Sequence, residues 1–522
     1  MNKIELYDTT LRDGAQSEGI SFTVADKLKI CEKLDELGVD FIEGGWPGAN
    51  PKDMEFFKKA KSLGLKKSKL VAFGSTRRAG VKASQDKVLS ALLDADTKVI
   101  TIFGKSWDLH VRDVFKCDPG ENLLMIEDSV KYLKSKGRTV FFDAEHFFDG
   151  FKGNKEYAIR CIKSASSSGA DRIVLCDTNG GTITSQVFEI VEEVKAAIST
   201  PIGIHAHNDC DMAVANSVAA IQAGCIQVQG TINGYGERCG NANLISIIAN
   251  LRLKLDIACV SDMQLKELTE IARFVAEICN MKLEDRQPYV GNSAFAHKAG
   301  VHINAILKNP ITYEHADPGM VGNHRRLLIS ELSGKSTIFK KAQEMNLDLG
   351  KDTEKSRSIL NTLQSLEHKG YHFETAEASL ELLIKRIMKK FKDFFELEDF
   401  RVIIEKRKNG KMSSEATIKL KVGKESEHTA SLGDGPVNAL DSALRKALKK
   451  FYPKLDEMHL TDYKVRVLDE KEGTAARVRV LIQSQDKQDS WWTMGVSENI
   501  IDASWLALVD SVEYKLLKDS KK

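Results

Sequence analysis

Two histidines separated by one residue lie in the run His205-Ala206-His207-Asn208-Asp209. On an extended strand, side chains two apart project to the same face, so both imidazoles can offer a nitrogen to one cation. Far upstream, Asp8-Thr9-Thr10-Leu11-Arg12-Asp13-Gly14-Ala15-Gln16 places a carboxylate, Asp13, beside a guanidinium, Arg12. Asp13 with His205 and His207 makes a divalent site with three protein ligands and positions left open for substrate. The alternative is a pair of strand histidines bonded to their neighbours. Arg12 can hold an oxyanion or pair with an acid on the same rim. Mixed nitrogen and oxygen ligation suits Mn, Co or Zn, with Mg less favoured by imidazole.

Further polar residues follow other apolar runs. Asp143-Ala144-Glu145-His146 carries Glu145, a candidate acid/base group or one half of a rim salt bridge. Asp177-Thr178-Asn179-Gly180 carries Thr178, able to bind a substrate carboxylate or to cap a helix. In Gly236-Glu237-Arg238-Cys239-Gly240-Asn241 the glycines let backbone approach a ligand, and Asn241 can reach a metal or a substrate oxygen. The same pattern also fits a tight loop.

These residues need a scaffold that gathers them. Up to about residue 240, strand-like runs at Ile4–Tyr7, Phe41–Gly44, Leu70–Gly74, Val99–Gly104, Thr139–Ala144, Arg172–Cys176, Gly203–Ala206 and Ile226–Thr231 alternate with helix-period segments. Eight such units predict an α/β fold, an N-terminal (β/α)8 TIM barrel whose strand C-termini carry the chemistry. A doubly wound sheet would need a phosphate fingerprint after its first strand, and Asp13-Gly14-Ala15-Gln16 is not one. Mostly helical linker subdomains follow, with Lys335–Leu366 expected as small surface helices. From about residue 398, Phe400–Glu405, Ala416–Val422, Tyr463–Leu468 and Ala475–Gln483 alternate as strands, with helices over Asp434–Tyr452 and Asn499–Leu517. The expected domains are 1–270, 271–395 and 396–522, the last a C-terminal α+β domain with a solvated basic tail, Lys515–Lys522.

Bulk properties narrow the classes. The 522 residues carry a net charge of +2, which gives no bulk attraction to nucleic acid or membrane. Nine cysteines without a C-x-x-C pair argue against a structural zinc module and fit reduced thiols in a cytoplasmic protein. No apolar run is long enough to span a bilayer, and no signal peptide is expected.

The motifs D-T-T-L-R-D-G-x-Q at Asp8–Gln16, H-A-H-N-D at His205–Asp209 and G-x-G-E-R-x-G-N-A at Gly234–Ala242 resemble those of the α-isopropylmalate, homocitrate and citramalate synthase family. Phe295–His302 resembles its F-x-H-x-S-G-I-H segment, with Ala299 in place of serine. Gly433–Val437 and Met494–Ile501 resemble its C-terminal regulatory domain. The resemblance implies a Claisen-type condensation of acetyl-CoA with a 2-oxo acid. Gly44–Asp53 and Asn499–Tyr514 are most similar to the bacterial citramalate-forming members. That likeness implies pyruvate as acceptor and (R)-citramalate as product, on a route to isoleucine. Carried over by position, Asp13, His205 and His207 are metal ligands and Asn241 lies near the metal. Arg12 and Thr178 contact the oxo acid, and Glu145 and His302 form the acid/base pair. Tyr313 stands at the acetyl-CoA site. The resemblance also implies a homodimer and feedback by a branched-chain amino acid, isoleucine.

Competing expectations remain at this level. A 2-isopropylmalate synthase differs by a few methylenes in its acceptor, 2-oxoisovalerate, a difference worth only about 1–3 kcal/mol. Trp46 is either a wall of the acceptor pocket or core. The regulatory-type domain argues against an aldol-type lyase, and the lack of a biotin attachment sequence against a complete carboxylase. A non-catalytic amino-acid sensor is a reading of another class. It should have lost some of Asp13, Glu145, His205, His207 or His302, and all are present.

Overall fold

The computed structural model describes residues 3–328, 353–406, 408, 410–468 and 476–520. The chain divides into two compact units, Met1–Phe295 with His315–Arg325, and Ala296–Glu314 with Arg326–Lys522.

The first unit is a closed parallel barrel of eight strands in sequence order. They are β1 (Glu5–Asp8), β2 (Phe41–Gly45), β3 (Lys69–Ser75), β4 (Val99–Lys105), β5 (Thr139–Glu145), β6 (Arg172–Asp177), β7 (Ile202–Ala206) and β8 (Gln227–Gly230). β1 and β8 close the ring in the register Tyr7↔Gln229 and Asp8↔Gly230. The helices between strands are α1 (Val24–Leu37), α2 (Pro51–Ala60), α3 (Lys87–Asp94), α4 (Pro119–Ser135), α5 (Lys155–Ser167), α6 (Thr184–Ala197) and α7 (Ala213–Ala223), with α8 (Leu244–Lys254) after β8. Their starts are written in the sequence. Thr23 and Asp26 form a reciprocal capping box on α1, and Asn50-Pro51 and Asp118-Pro119 start α2 and α4 with a side-chain cap followed by proline.

Strand alternation sorts the barrel into two cores. Leu6, Ile42, Ala72, Ile100, Phe142, Ile173, Ile204 and Val228 face the helices in one large apolar shell, which α9 (Leu268–Ile278) joins. Tyr7, Phe41, Val71, Val99 and Phe141 form a separate inner cluster. Near one end Glu5 accepts from both Arg172 (2.8 and 3.0 Å) and Gln227 (3.3 Å).

The second unit begins with β9 (Ala296–His297), paired in parallel with β10 (Arg326–Leu327), and α10 (Gly300–Lys308) between them. Of the stretch expected as small surface helices, residues 335–352 lie outside the described ones, and the remainder falls in α11 (Thr353–His368). After α12 (Glu377–Ile387) come two βββα repeats. The first is β11 (Glu396–Lys406), β12 (Met412–Val422), β13 (Glu425–Gly433) and α13 (Pro436–Leu448); the second is β14 (His459–Val467), β15 (Val478–Gln485), β16 (Ser490–Ser497) and α14 (Ile500–Ser520). Two corrections arise here. β13 and β16 were not expected as strands, because β13 is a polar, half-exposed edge and β16 has a buried run rather than clean alternation. The basic tail is not uniformly solvated either: Lys515 is 2% exposed and ion-paired to Asp486 at 3.0 Å. Among the described residues, no helix is long and apolar enough to cross a membrane, and all nine cysteines are free.

Candidate active site

The strand ends bring Asp13, from the turn after β1, to His205 and His207 on and just beyond β7. Asp13 Oδ2 lies 3.3 Å from His205 Nε2 and 3.9 Å from His207 Nε2, and the two Nε2 atoms are 3.2 Å apart. All three residues are buried, with ligand atoms within 4.8 Å of one another. Burial alone would raise the Asp13 carboxyl, but Arg12, His205 and His207 more than offset it and hold it well below the usual range. His205 is raised despite burial because it faces Asp13, whereas burial and the neighbouring His205 push His207 down to about 4. Asn241 faces His207 across an isolated bridge. Its Nδ2 donates to Tyr235 O (3.2 Å), while its buried Oδ1 has no partner among the described residues. Two imidazole nitrogens turned toward each other, a carboxylate and an orphaned carbonyl oxygen suit a divalent cation.

Arg12 sits beside this cluster. Its Nε donates to Glu43 Oε1 at 2.6 Å, its Nη1 lies 3.4 Å from Asp13, and its Cζ stands 3.9 Å over the Phe73 ring. Glu43 takes its other bond from Tyr7 Oη (2.5 Å), itself 2.8 Å from Thr101 Oγ1. On the opposite side, His205 Nδ1 lies 2.9 Å from Gln229 Oε1, and Gln229 Nε2 donates to Asp143 Oδ1 (3.2 Å). Burial and the charge of Glu43 push Asp143 up to about 7. The supporting roles of Glu43, Tyr7, Gln229 and Asp143 escaped the sequence reading. Strand alternation was the available signal: each is an inward position within two residues of a strand's C-terminal end.

Glu145, the last residue of β5, is ion-paired with Lys105, the last of β4. Thr178 does not cap α6, which starts at Thr184. Its hydroxyl oxygen accepts the His146 backbone N–H at 2.9 Å, supporting the left-handed conformation there (φ +57°) and leaving the O–H free to donate. Arg238 is held by Asp209 through two bonds (2.7 and 2.9 Å) and donates to Thr178 O (2.8 Å), which ties the glycine-rich loop to β6.

Trp46 is not simply core. It packs edge-on against Phe73 (6.0 Å) and Phe103 (5.5 Å), whose rings stack on each other. Its loop is pinned from below: Asp53 accepts from Trp46 N–H (2.9 Å) and from buried Lys27 (2.5 Å), which also donates to Gly44 O. A Cβ on Gly45, where φ is +144°, would sit 2.4 Å from the Asp53 carboxyl carbon, so only glycine fits there. Trp46, Phe103, Lys105, Phe115 and Met125 line a cavity of ≈ 370 Å³. A second cavity of ≈ 520 Å³ is lined by Asn208, Asn233, Asn241, Asn243 and Tyr289 among others.

His302 and Tyr313 belong to the second unit. His302 is exposed on α10 and stacks on Tyr313 at 4.1 Å and 27°, so these two residues come together. Nearby, His297 Nε2 lies 3.2 Å from Glu314 Oε1.

Residues 3–275 match the HMGL-like family, residues 289–370 the homocitrate synthase post-HMGL domain-like family, and residues 374–516 the LeuA allosteric (dimerisation) domain. The chain is 55% identical to the (R)-citramalate synthase of Aquifex aeolicus over 521 residues, 99% of each chain. It is 55% identical to that of Geobacter sulfurreducens over 522 residues, 100% of this chain and 99% of the relative. It is 31% identical to a 2-isopropylmalate synthase of Methanocaldococcus jannaschii over 524 residues, 100% of this chain and 96% of the relative. With the first family spanning more than half of its length and such relatives aligned end to end, the chain belongs to the HMGL-like family, alongside the (R)-citramalate synthases.

Proposed function

We infer that this chain condenses acetyl-CoA with pyruvate and hydrolyses the resulting thioester to (R)-citramalate and CoA, a step toward isoleucine. The observation that carries this is the buried Asp13–His205–His207 triad, set within a sequence 55% identical along its length to (R)-citramalate synthases. Identity to the 2-isopropylmalate synthase is far lower, 31%.

Held by Asp13, His205 and His207, a divalent ion (Mn, Co, Zn or Mg) would supply Lewis acidity to the 2-oxo acid. Arg12, anchored through its Nε by Glu43, keeps its outer N–H groups for the oxygen on which negative charge develops. The free O–H of Thr178 donates to the substrate carboxylate. Glu145 and His302 serve as the acid/base groups: one takes a proton from the acetyl methyl as the new C–C bond forms, and the other gives a proton to the alkoxide. Water then cleaves the thioester, releasing CoA. Tyr313 contacts acetyl-CoA, and Asn241 supports the metal or a substrate oxygen. The aromatic wall of Trp46, Phe73 and Phe103, touching Arg12 through Phe73, limits the acceptor to a small side chain. The LeuA-type domain supports a homodimer with isoleucine as feedback inhibitor.

The test is thiol release with acetyl-CoA and each acceptor in turn. Pyruvate should be preferred, and His302→Ala and Glu145→Gln should each abolish most turnover. Preference for 2-oxoisovalerate would overturn the assignment in favour of 2-isopropylmalate synthesis. No thiol release with any acceptor would leave only an amino-acid sensor, whereas turnover unchanged by His205→Ala would remove the metal triad from the reaction. Isoleucine sensitivity that survives deletion of the residues after about 400 would remove the regulatory proposal.

A further inference from the structure

The polar chain behind His205 has a direction. Gln229 stands opposite His205 in the β7–β8 register. Its amide has two chemically distinct ends, and either can face the imidazole if the amide rotates. Asp143 Oδ1, 3.2 Å from Gln229 Nε2, accepts both in the carboxylate and in the acid with its proton on Oδ2, and selects the orientation in which the NH2 end points toward Asp143. The carbonyl end, Oε1, then faces His205 Nδ1 at 2.9 Å and requires a donor there. The proton of neutral His205 must therefore reside on Nδ1, and Nε2, the atom turned toward Asp13 and His207, keeps its lone pair. With the amide reversed, the NH2 group would meet Nδ1, the proton would move to Nε2, and the ligand atom would be blocked.

We propose that Gln229 is a positioning residue that fixes the tautomer of His205, with Asp143 setting the polarity of Gln229, so that the site is preorganised for a divalent cation. This rests on the metal-binding reading of Asp13, His205 and His207. Both residues are fully enclosed, Gln229 at 0% and Asp143 at 3% exposure, so water cannot substitute for either. Outer partners of metal-bound histidines are worth about 10–100-fold in metal affinity. A side chain that only filled the barrel interior would leave affinity unchanged when replaced by an apolar residue of similar size.

The experiment is titration of metal-free full-length protein with Mn2+ and Co2+, reading dissociation constants and the Co2+ visible spectrum. Wild type, Gln229→Leu, Gln229→Glu, Asp143→Leu and His205→Ala are compared. Gln229→Leu should weaken binding about 10–100-fold. Gln229→Glu keeps an acceptor at Nδ1, though it loses the donor to Asp143, and should bind more tightly than Gln229→Leu. The 15N spectrum of histidine-labelled metal-free protein should show His205 protonated on Nδ1 in wild type and a mixture of tautomers in Gln229→Leu. If Gln229→Leu does not fold, Asp143→Leu, which keeps the branched shape and removes the acceptor, takes its place and should also weaken binding. Wild-type affinity in Gln229→Leu or Asp143→Leu, with binding lost in His205→Ala, overturns the positioning role and leaves the metal site intact. Equal affinity in wild type and His205→Ala overturns the metal site itself.

Discussion

Buried charge occurs in both units and is handled in opposite ways. In the second unit, Asp486 has both oxygens occupied. One accepts the backbone N–H groups of Gln488 (2.9 Å) and Asp489 (3.0 Å), and the other accepts Lys515 (3.0 Å) from α14. In the barrel, Asp13 has a guanidinium and two imidazoles around it, yet the imidazole nitrogens face each other and Asn241 Oδ1 bonds to none of the described residues. Removing a charge from water costs several kcal/mol, which a fold recovers only by complete pairing. A buried cluster that is complete fastens structure. One that is incomplete, at the open end of a barrel, is arranged for something that arrives later.

The sharpest way to break this contrast is His205→Ala. It should abolish metal retention after gel filtration and lower turnover by about a thousandfold or more, since Lewis-acid stabilisation is worth several kcal/mol. The fold should persist. Retained metal with normal turnover would make the barrel cluster as structural as the other. Asp486→Ala is the reciprocal case. It removes the acceptor of two backbone N–H groups and one of the carboxylates around Lys515, which keeps Asp519 (3.1 Å) and Glu457 (3.8 Å), should cost about 1–3 kcal/mol in urea or thermal unfolding of the second unit, and should leave metal content unchanged.

The same pair sets a pH dependence. Burial would raise the Asp486 carboxyl, but the two backbone donors and Lys515 outweigh it and hold it well below its ordinary value. A carboxyl with a depressed folded pKa contributes stability in full above its unfolded pKa of about 3.9, and the contribution is lost as pH falls further toward the folded pKa. Wild-type unfolding should therefore show an acid-dependent loss below about pH 4 that Asp486→Ala has already given up.

A smaller effect is expected at Trp46. Trp46→Ala opens the wall over Phe73 and Phe103 and should shift the ratio of kcat/KM for pyruvate over 2-oxoisovalerate by about 10–200-fold. An unchanged ratio would return Trp46 to the core. The smallest effect belongs to exposed charge. Lys59 pairs with Glu55 one turn away on α2, both more than half exposed, and Lys59→Ala should cost under about 0.5 kcal/mol.

Much of this was legible before any coordinates. The eight strands read clearly because buried parallel strands are short apolar runs between capped helices, and the cations and acids at their ends marked one rim. His205 and His207 stood out because a spacing of two fixes a shared face without knowledge of register. Gln229 and Asp143 did not, since their meeting depends on which strands enclose the interior and at what height. Glu43 was visible as a strand-end acid, but its grip on Arg12 was not. In the second unit the polar strand β13 lacked the apolar alternation that reveals a strand, and Lys515 read as part of a solvated tail because its partner Asp486 lies in a turn 29 residues away. Position-specific burial of a charge is a tertiary property. Composition alone favours solvent for lysine.

The closure of β1 against β8 also orders events on the ribosome. Asp13 is synthesised first, whereas His205, His207 and the strand that seals the ring against β1 come roughly 200 residues later, about 10–40 s at ordinary elongation rates. Throughout that interval the nascent chain carries Asp13 with no imidazole partner from β7, so the proposed metal site does not yet exist. On the proposed metal-binding role, cation capture thereby becomes a late event, available only to a chain whose first and last barrel strands have met.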